Sequence, residues 1–393
     1  MKRRICDICN HDKFFEIGQQ YQQSIVSNKT KMKFDVRLVC CKNCGLVLQN
    51  PIQDEAQLTK YYNSMFREEN SRPIENIEKE IKHRIEFICK YRKPDQKQSI
   101  LEIGCSNGST LVNLYKSGFS VCGIEPSIEN SNTCKKRGLS VFNGIYSEFD
   151  SKNKKFDFIL SYYVLEHLTS PTHFMKFCNN LLSENGIICI EIPDINSYKN
   201  EKTITDLLFF FEHQYHFTKD TLQILLKKCG FELLEFSSNT THNFGMHFSA
   251  KKISKPQDKL FEIPQNIFEN VMKNITDYRK YHTERLENLR KKLKIIFTEN
   301  RENNGKIILC PASKGSKTLL ELPEVDLSSI ECIIDNNPEK IGNSFFGFQI
   351  YSLKDFNFNF DFNKILIRSS FNSELKNQLL SLGIDENKIL VMD

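Results

Sequence analysis

The chain of 393 residues is long enough for two or three domains. Its 54 Lys and Arg against 49 Asp and Glu leave a net charge of +5, scattered rather than gathered into a stripe, so nucleic acid is not an expected partner. No apolar run reaches the length of a membrane span. No apolar segment follows the basic start Met1-Lys2-Arg3-Arg4, so a cytoplasmic, reducing setting is expected, and the 14 cysteines do not read as a disulfide framework.

In chain order, the first signal is Cys6-x-x-Cys9, answered by Cys41-x-x-Cys44. Each pair bends the chain so that two thiolates face one point, and two such pairs make the tetrahedral sulfur site that zinc fills. Cys40 competes with Cys41, but only Cys41 keeps the two-residue spacing to Cys44. Short strands are expected at Phe14 to Ile17 and Phe34 to Val39, the build of a zinc ribbon. Four cysteines leave no open coordination position, so the zinc is structural and supplies folding energy that so small a module lacks. Seven further cysteines (Cys89, Cys122, Cys178, Cys189, Cys229, Cys310 and Cys332) sit in apolar stretches and read as small buried hydrophobes.

Tyr61 to Lys90 has a charged helical pattern, with Tyr61-Tyr62 at its start. Ser99 to Ile103 then reads as a buried strand, followed by the turn Gly104-Cys105-Ser106-Asn107-Gly108 and a helix from Ser109 with Leu111 and Leu114 inward. Glycines there let backbone approach a ligand. Phe119 to Ile124 is the next strand, and Glu125-Pro126 closes it, placing a carboxylate where a ribose diol would lie. A dinucleotide turn wants three glycines for a pyrophosphate. Here Glu102 precedes Gly104-x-x-x-Gly108 and no third glycine follows. Phe156 to Ser161, then Val164-Leu165-Glu166-His167-Leu168, and Gly186 to Pro193 complete the order. These motifs resemble those of class I S-adenosylmethionine (SAM) methyltransferases. The resemblance implies SAM as cofactor, held by Glu102, Gly104 to Gly108, Glu125 and Pro126.

Further on, Phe209-Phe210-Phe211-Glu212-His213-Gln214-Tyr215-His216-Phe217 crowds polar groups into a segment after the fifth strand, on the ligand edge of such a sheet. The plain alternative is an aromatic structural segment whose histidines only fill hydrogen bonds. Imidazole titrates near working pH, so His213 is the leading candidate base, with Glu212 to orient it and Tyr215, His216 and His167 behind; Tyr62 is a more distant candidate. Thr218 to Cys229 reads as a capped helix ending at Gly230. Residues 263 to 300 form a long helical pattern. Lys306 to Cys310, Ile330 to Ile334 and Lys364 to Arg368 read as strands of a second Rossmann-like unit, in which Asp335 either holds a ribose or caps a turn.

The whole order resembles the sugar C-methyltransferases that act on nucleotide-linked 4-keto-deoxysugars. The match rests on Cys6, Cys9, Cys41 and Cys44, on the Gly104–Gly108 and Glu125 motifs, and on Ala312-Ser313-Lys314-Gly315 with Asp335-x-Asn337-Pro338-x-Lys340-x-Gly342. It implies an α/β architecture: a zinc module over 1–60, a helical connector over 61–94, a SAM domain over 95–255, a linker helix over 256–303 and a Rossmann-like domain over 304–393. It implies C-methylation of a nucleotide sugar through a base-generated enolate, by a monomer or homodimer. The family's Tyr-His-Glu-His signature is Phe210-Phe211-Glu212-His213 here, which leaves O-methylation of a glycan or other small molecule as the alternative. A binding protein with a vestigial site is opposed by the intact Glu102, Gly104, Gly108 and Glu125.

Overall fold

The structure, a computed structural model, describes residues 4–27, 30–54, 56–58, 61, 74–91, 97–200, 206–238, 244–253, 262–338, 340–359, 361–369 and 371–392. Of the connector, Tyr61 and 74–91 are described; Tyr62 lies outside the described residues. The chain forms two compact units, Met1–Tyr198 with Leu207–Thr276, and Lys199–Asp206 with Asp277–Asp393. This groups the five expected segments differently. Cys6, Cys41, Cys44, Leu46 and Leu48 are buried in one core with Ile103, Ile190, Phe217 and Leu222, so the cysteine module is part of the first unit. Some sixty residues bury too little apolar surface alone, and sharing a core supplies the rest. The second division falls inside the Ile267–Glu302 helix.

The first unit opens with β1 (Phe14–Ser27) and β2 (Thr30–Cys41), an antiparallel hairpin far longer than the two pieces expected. The polar run Gln19 to Gln23 disguises β1, because it carries no alternation of apolar and polar residues. The short β3 (Val47–Gln49) pairs with β2 and is buried throughout.

The central sheet begins with β4 (Ser99–Ile103), β5 (Ser120–Glu125), β6 (Val141–Asn143), β7 (Phe156–Tyr162) and β8 (Leu182–Pro193), all parallel. The chain then leaves it for β9 (Tyr215–His216), which pairs antiparallel with β3, and returns as β10 (Phe231–Ser237) and β11 (Gly245–Lys252). The sheet order is β10-β11-β8-β7-β4-β5-β6. Chain direction across the sheet reverses between β4 and β7, and ligands bind beyond the strand ends at such a switch point. Thr218 caps the Lys219–Lys228 helix by exchanging hydrogen bonds with Thr221.

The connector helix Ile74–Cys89 lays Phe87 and Ile88 against Ile100, Phe119 and Phe158. Cys89, its last residue, is exposed rather than buried, since it lies off the apolar face made by Ile85, Ile88 and Tyr91. Arg84 pins the helix to the sheet. Its guanidinium lies 3.0 and 2.5 Å from Glu191 Oε2, 2.5 Å from Glu80 Oε1, and 3.9 Å from the Tyr162 ring centre. Burial opposes the Glu191 charge, but Arg84 and His247 outweigh it and hold the carboxyl at about 2. No helix among the described residues is long and apolar enough to cross a membrane.

In the second unit, Leu289, Leu293 and Phe297 pack against Ile307, Ile333 and Leu366. Its strands are β12 (Ile307–Cys310), β13 (Ile330–Asp335), β14 (Ser344–Phe345), β15 (Phe348–Ser352), β16 (Lys364–Ile367) and β17 (Ile389–Val391). Their order is β14-β15-β13-β12-β16-β17, parallel except for β14. Asp335 caps the turns around it, accepting from the Ala312 N–H at 3.0 Å and the Asn337 N–H at 2.8 Å.

Candidate active site

The turn after β4 needs its glycines for two reasons. Gly104 and Gly108 have φ of +77° and +78°, where a side chain is strained. A Cβ on Gly104 would also meet Val164 Cγ2 at 2.5 Å, and one on Gly108 would meet Leu139 Cδ1 at 2.5 Å. Close packing, and not only ligand approach, selects glycine here. Ser106 is left-handed as well, and its N–H donates to Glu125 Oε2 at 2.9 Å, while the Ser127 N–H donates to Oε1 at 2.8 Å. Glu125 therefore braces the turn across to β5. Asn107 Oδ1 accepts from the Ser109 N–H at 3.0 Å and starts the Ser109–Lys116 helix. Cys105 packs under the turn with Leu111, Cys134 and Leu139. Glu102 is buried within β4, and Pro126 leads from β5 towards the Ile128–Lys136 helix.

The four cysteines converge. All their sulfurs lie within 4.8 Å of one another, with Cys6 to Cys44 and Cys9 to Cys41 each at 3.5 Å. The two halves use the same turn: the Asn10 N–H bonds the Cys6 carbonyl and the Gly45 N–H bonds the Cys41 carbonyl, both at 2.9 Å, and Asn10 and Gly45 are both left-handed. Four thiols at these separations suit a tetrahedral zinc ion. Between the first pair, Asp7 accepts from the Thr172 N–H at 2.7 Å and Ser170 Oγ at 2.9 Å, at the N-terminus of the Pro171–Leu181 helix. An anion there is favoured by the helix dipole.

This module also holds the segment around His213. Gln49, fully buried at the end of β3, donates from Nε2 to the Phe211 carbonyl at 2.9 Å and the His213 carbonyl at 2.8 Å, and its backbone N–H reaches the Gln214 carbonyl at 3.0 Å. Phe34 of β2 stacks on Phe211 with ring centres 3.9 Å apart. Tyr61 donates to Glu212 Oε1 at 2.7 Å.

The same segment docks on the Leu165–His167 turn after β7. The Gln214 N–H bonds the Glu166 carbonyl at 2.8 Å, and His167 Nδ1 lies 3.0 Å from the Glu212 carbonyl. His167 and His213 have ring centres 5.2 Å apart. The structure thus brings Glu212, His213 and His167 together, and adds Glu166, which is 1 % exposed. It does not bring Tyr215 to them. The Tyr215 hydroxyl donates to the Thr169 carbonyl at 3.1 Å and accepts from Arg4 at 2.8 Å; burial pushes the phenol up. His216 is buried with Nδ1 2.7 Å from the Tyr198 hydroxyl, and burial lowers it to about 3. The sequence reading missed Gln49, Glu166 and Arg84. A glutamine ending an apolar strand and an arginine in an amphipathic helix were the signals on offer.

A methyltransferase-domain family model matches residues 74–235, and a second model, described as C2185-like, N-terminal, matches residues 303–390. The chain contains a class I SAM-dependent methyltransferase domain. A ubiquinone biosynthesis O-methyltransferase of Pelagibacter ubique is 34 % identical over 121 residues, which are 30 % of this chain and 48 % of that protein. An uncharacterized methyltransferase of Alkaliphilus oremlandii is 27 % identical over 169 residues, 41 % of this chain and 74 % of that protein. The chain spans about half the length of the ubiquinone biosynthesis proteins it matches. Among solved structures, a SAM-dependent methyltransferase from Methanosarcina mazei superposes with a TM-score of 0.36 at 20 % identity, covering 43 % of this chain and 98 % of that one. The matched range takes in β4 to β8 and most of β10, and leaves out β11 and the cysteine module.

Proposed function

We propose that the protein transfers the SAM methyl group to a nucleotide-linked deoxysugar, at carbon beside a keto group, acting in the cytoplasm as a monomer or homodimer. The observation that carries this is the meeting of Glu166, His167 and His213 at the strand edge that also holds Glu125 and the glycine turn. Val164, which limits the space over Gly104, leads directly into Glu166 and His167. SAM supplies a reactive sulfonium methyl; the protein must align the acceptor behind it and take up the proton the acceptor loses. In this reading Glu102, the Gly104–Gly108 turn, Glu125 and Pro126 hold the cofactor. The histidine cluster meets the acceptor, with His213 central and Glu212 oriented by Tyr61. Cys6, Cys9, Cys41 and Cys44 hold one structural zinc, whose chemistry there is to fix the chain.

O-methylation of a glycan or other small molecule is the second reading. Phe210 stands where the sugar family carries a tyrosine hydroxyl, and the relatives named above include O-methyltransferases. The test is incubation with methyl-labelled SAM and a panel of nucleotide-linked keto sugars and hydroxylated acceptors. A product one methyl heavier is expected from the sugars, and its bond to carbon or oxygen separates the readings. His213→Asn should cut turnover about 10²- to 10⁴-fold while S-adenosylhomocysteine affinity holds. Near-normal turnover of His213→Asn would move the acceptor site elsewhere.

A further inference from the structure

Three groups of metal-ligating side chains occur among the described residues. The four cysteines are one. In the second, His83, Glu191 and His247, the Arg84 guanidinium already sits on Glu191 at 3.0 and 2.5 Å, so another cation would meet a like charge. The third is Glu166, His167 and His213, whose ligand atoms all lie within 4.8 Å of one another.

His167 is the informative member. Its Nδ1 lies 3.0 Å from the Glu212 backbone carbonyl, which can only accept, so Nδ1 carries the proton. Nε2 is the nitrogen left to face a ligand, and it lies 3.8 Å from Glu166 Oε1. With Nδ1 engaged by the carbonyl, Nε2 and the Glu166 carboxylate stand side by side in a buried pocket as one nitrogen and one oxygen ligand. A backbone carbonyl that fixes the tautomer of a histidine is the usual outer shell of a metal-bound imidazole. The third ligand is held equally firmly: the His213 carbonyl accepts from Gln49 at 2.8 Å, and its N–H donates to the Phe210 carbonyl at 3.0 Å. Ligands about 2.1 Å from a common ion stand roughly 3 to 3.5 Å apart, so the cluster needs only a small closure.

We propose that Glu166, His167 and His213 bind one divalent transition-metal ion of the zinc or iron(II) class. Two imidazoles and one carboxylate leave coordination positions open, and a hydroxyl or keto oxygen of the acceptor fits there. This rests on the reading that the acceptor meets this cluster, and it changes the part of His213 from taking the acceptor's proton to holding the ion that polarises the acceptor's oxygen.

The test loads the full chain with cobalt(II) and needs no substrate. Expected are about two equivalents per chain: one with intense thiolate charge-transfer absorption, one with only weak ligand-field bands. Glu166→Gln and His167→Gln should each lose the weak-band equivalent and keep both the thiolate spectrum and S-adenosylhomocysteine binding, which report an intact fold. His83→Gln should keep both equivalents. A single equivalent in the natural protein, or a second that survives both Glu166→Gln and His167→Gln, overturns the ion site. An inactive His213→Asn protein beside a natural protein with one equivalent would leave the methyl-transfer reading standing and the ion site refuted.

Discussion

Replacing Gln49 by leucine should loosen the segment that carries Glu212 and His213 without touching the cofactor turn. The side chain is fully buried and makes three hydrogen bonds: donors to the Phe211 and His213 carbonyls at 2.9 and 2.8 Å, and an acceptor for Gln53 at 2.7 Å. Phe211 keeps a second donor, Gln214 Nε2 at 3.0 Å, so its carbonyl is partly compensated. A buried polar group left unpaired costs about 1–3 kcal/mol, and a lost bond whose partner is re-satisfied about 0.5–1.5 kcal/mol. Gln53 likewise keeps the Asp35 carbonyl at 2.7 Å, so Gln49→Leu should cost about 2–6 kcal/mol. Gln49→Glu should cost more at neutral pH, since it points a carboxylate at two carbonyl oxygens. Denaturant unfolding gives the stabilities, and hydrogen exchange of residues 211–216 shows where the loss falls. Equal stability within about 0.5 kcal/mol, with unchanged exchange over 211–216, would refute the clamp.

Glu125→Gln replaces one acceptor oxygen by an N–H₂ that faces a backbone N–H, so S-adenosylhomocysteine should bind at least about tenfold more weakly by calorimetry; equal affinity would show that the carboxylate serves only the turn. Cys41→Ser with Cys44→Ser should remove the thiolate-bound equivalent of metal and speed exchange over β9, and full thiolate-bound metal in that protein would sink the sulfur site. Burial raises Asp194 from 3.8 to about 6. Its neutral form is favoured by the fold, so the stability it contributes is whole below pH 3.8 and lost as pH rises to about 6. Asp194→Asn should thus be more stable than the natural protein at pH 8, by up to about 3 kcal/mol, and not at pH 4. A pH-independent difference would contradict the assignment.

The parts that sequence exposes are those with short-range rules. β4, the Gly104–Gly108 turn, Glu125 and the Thr218 cap follow from apolar runs, left-handed turns and capping chemistry within a few residues of each other. The paired Cys-x-x-Cys spacing likewise foretells the sulfur cluster. What sequence hides is long-range. Nothing local says that Val47 and Leu48 pair with His216 and Tyr215, and that pairing turns a separate-looking module into a wall of the histidine site. Tyr215 shows the cost. It sits two residues from His213, yet its hydroxyl is spent on Arg4 and Thr169 in the module's direction. Glu166 carries no signal of its own in the sequence, and only the fold sets it beside His213.

The pairing of β3 with β9 constrains how this architecture can be recombined. A chimera that imports the 210–217 segment of a relative inherits a strand without its mate, because Val47, Leu48 and Gln49 are set to the resident backbone. Asp7, reaching into the start of the Pro171–Leu181 helix, imposes a second junction of the same kind. Specificity in such proteins would then pass between lineages as a package: the first fifty residues travel with the segment they grip, although about 160 residues separate them in the gene.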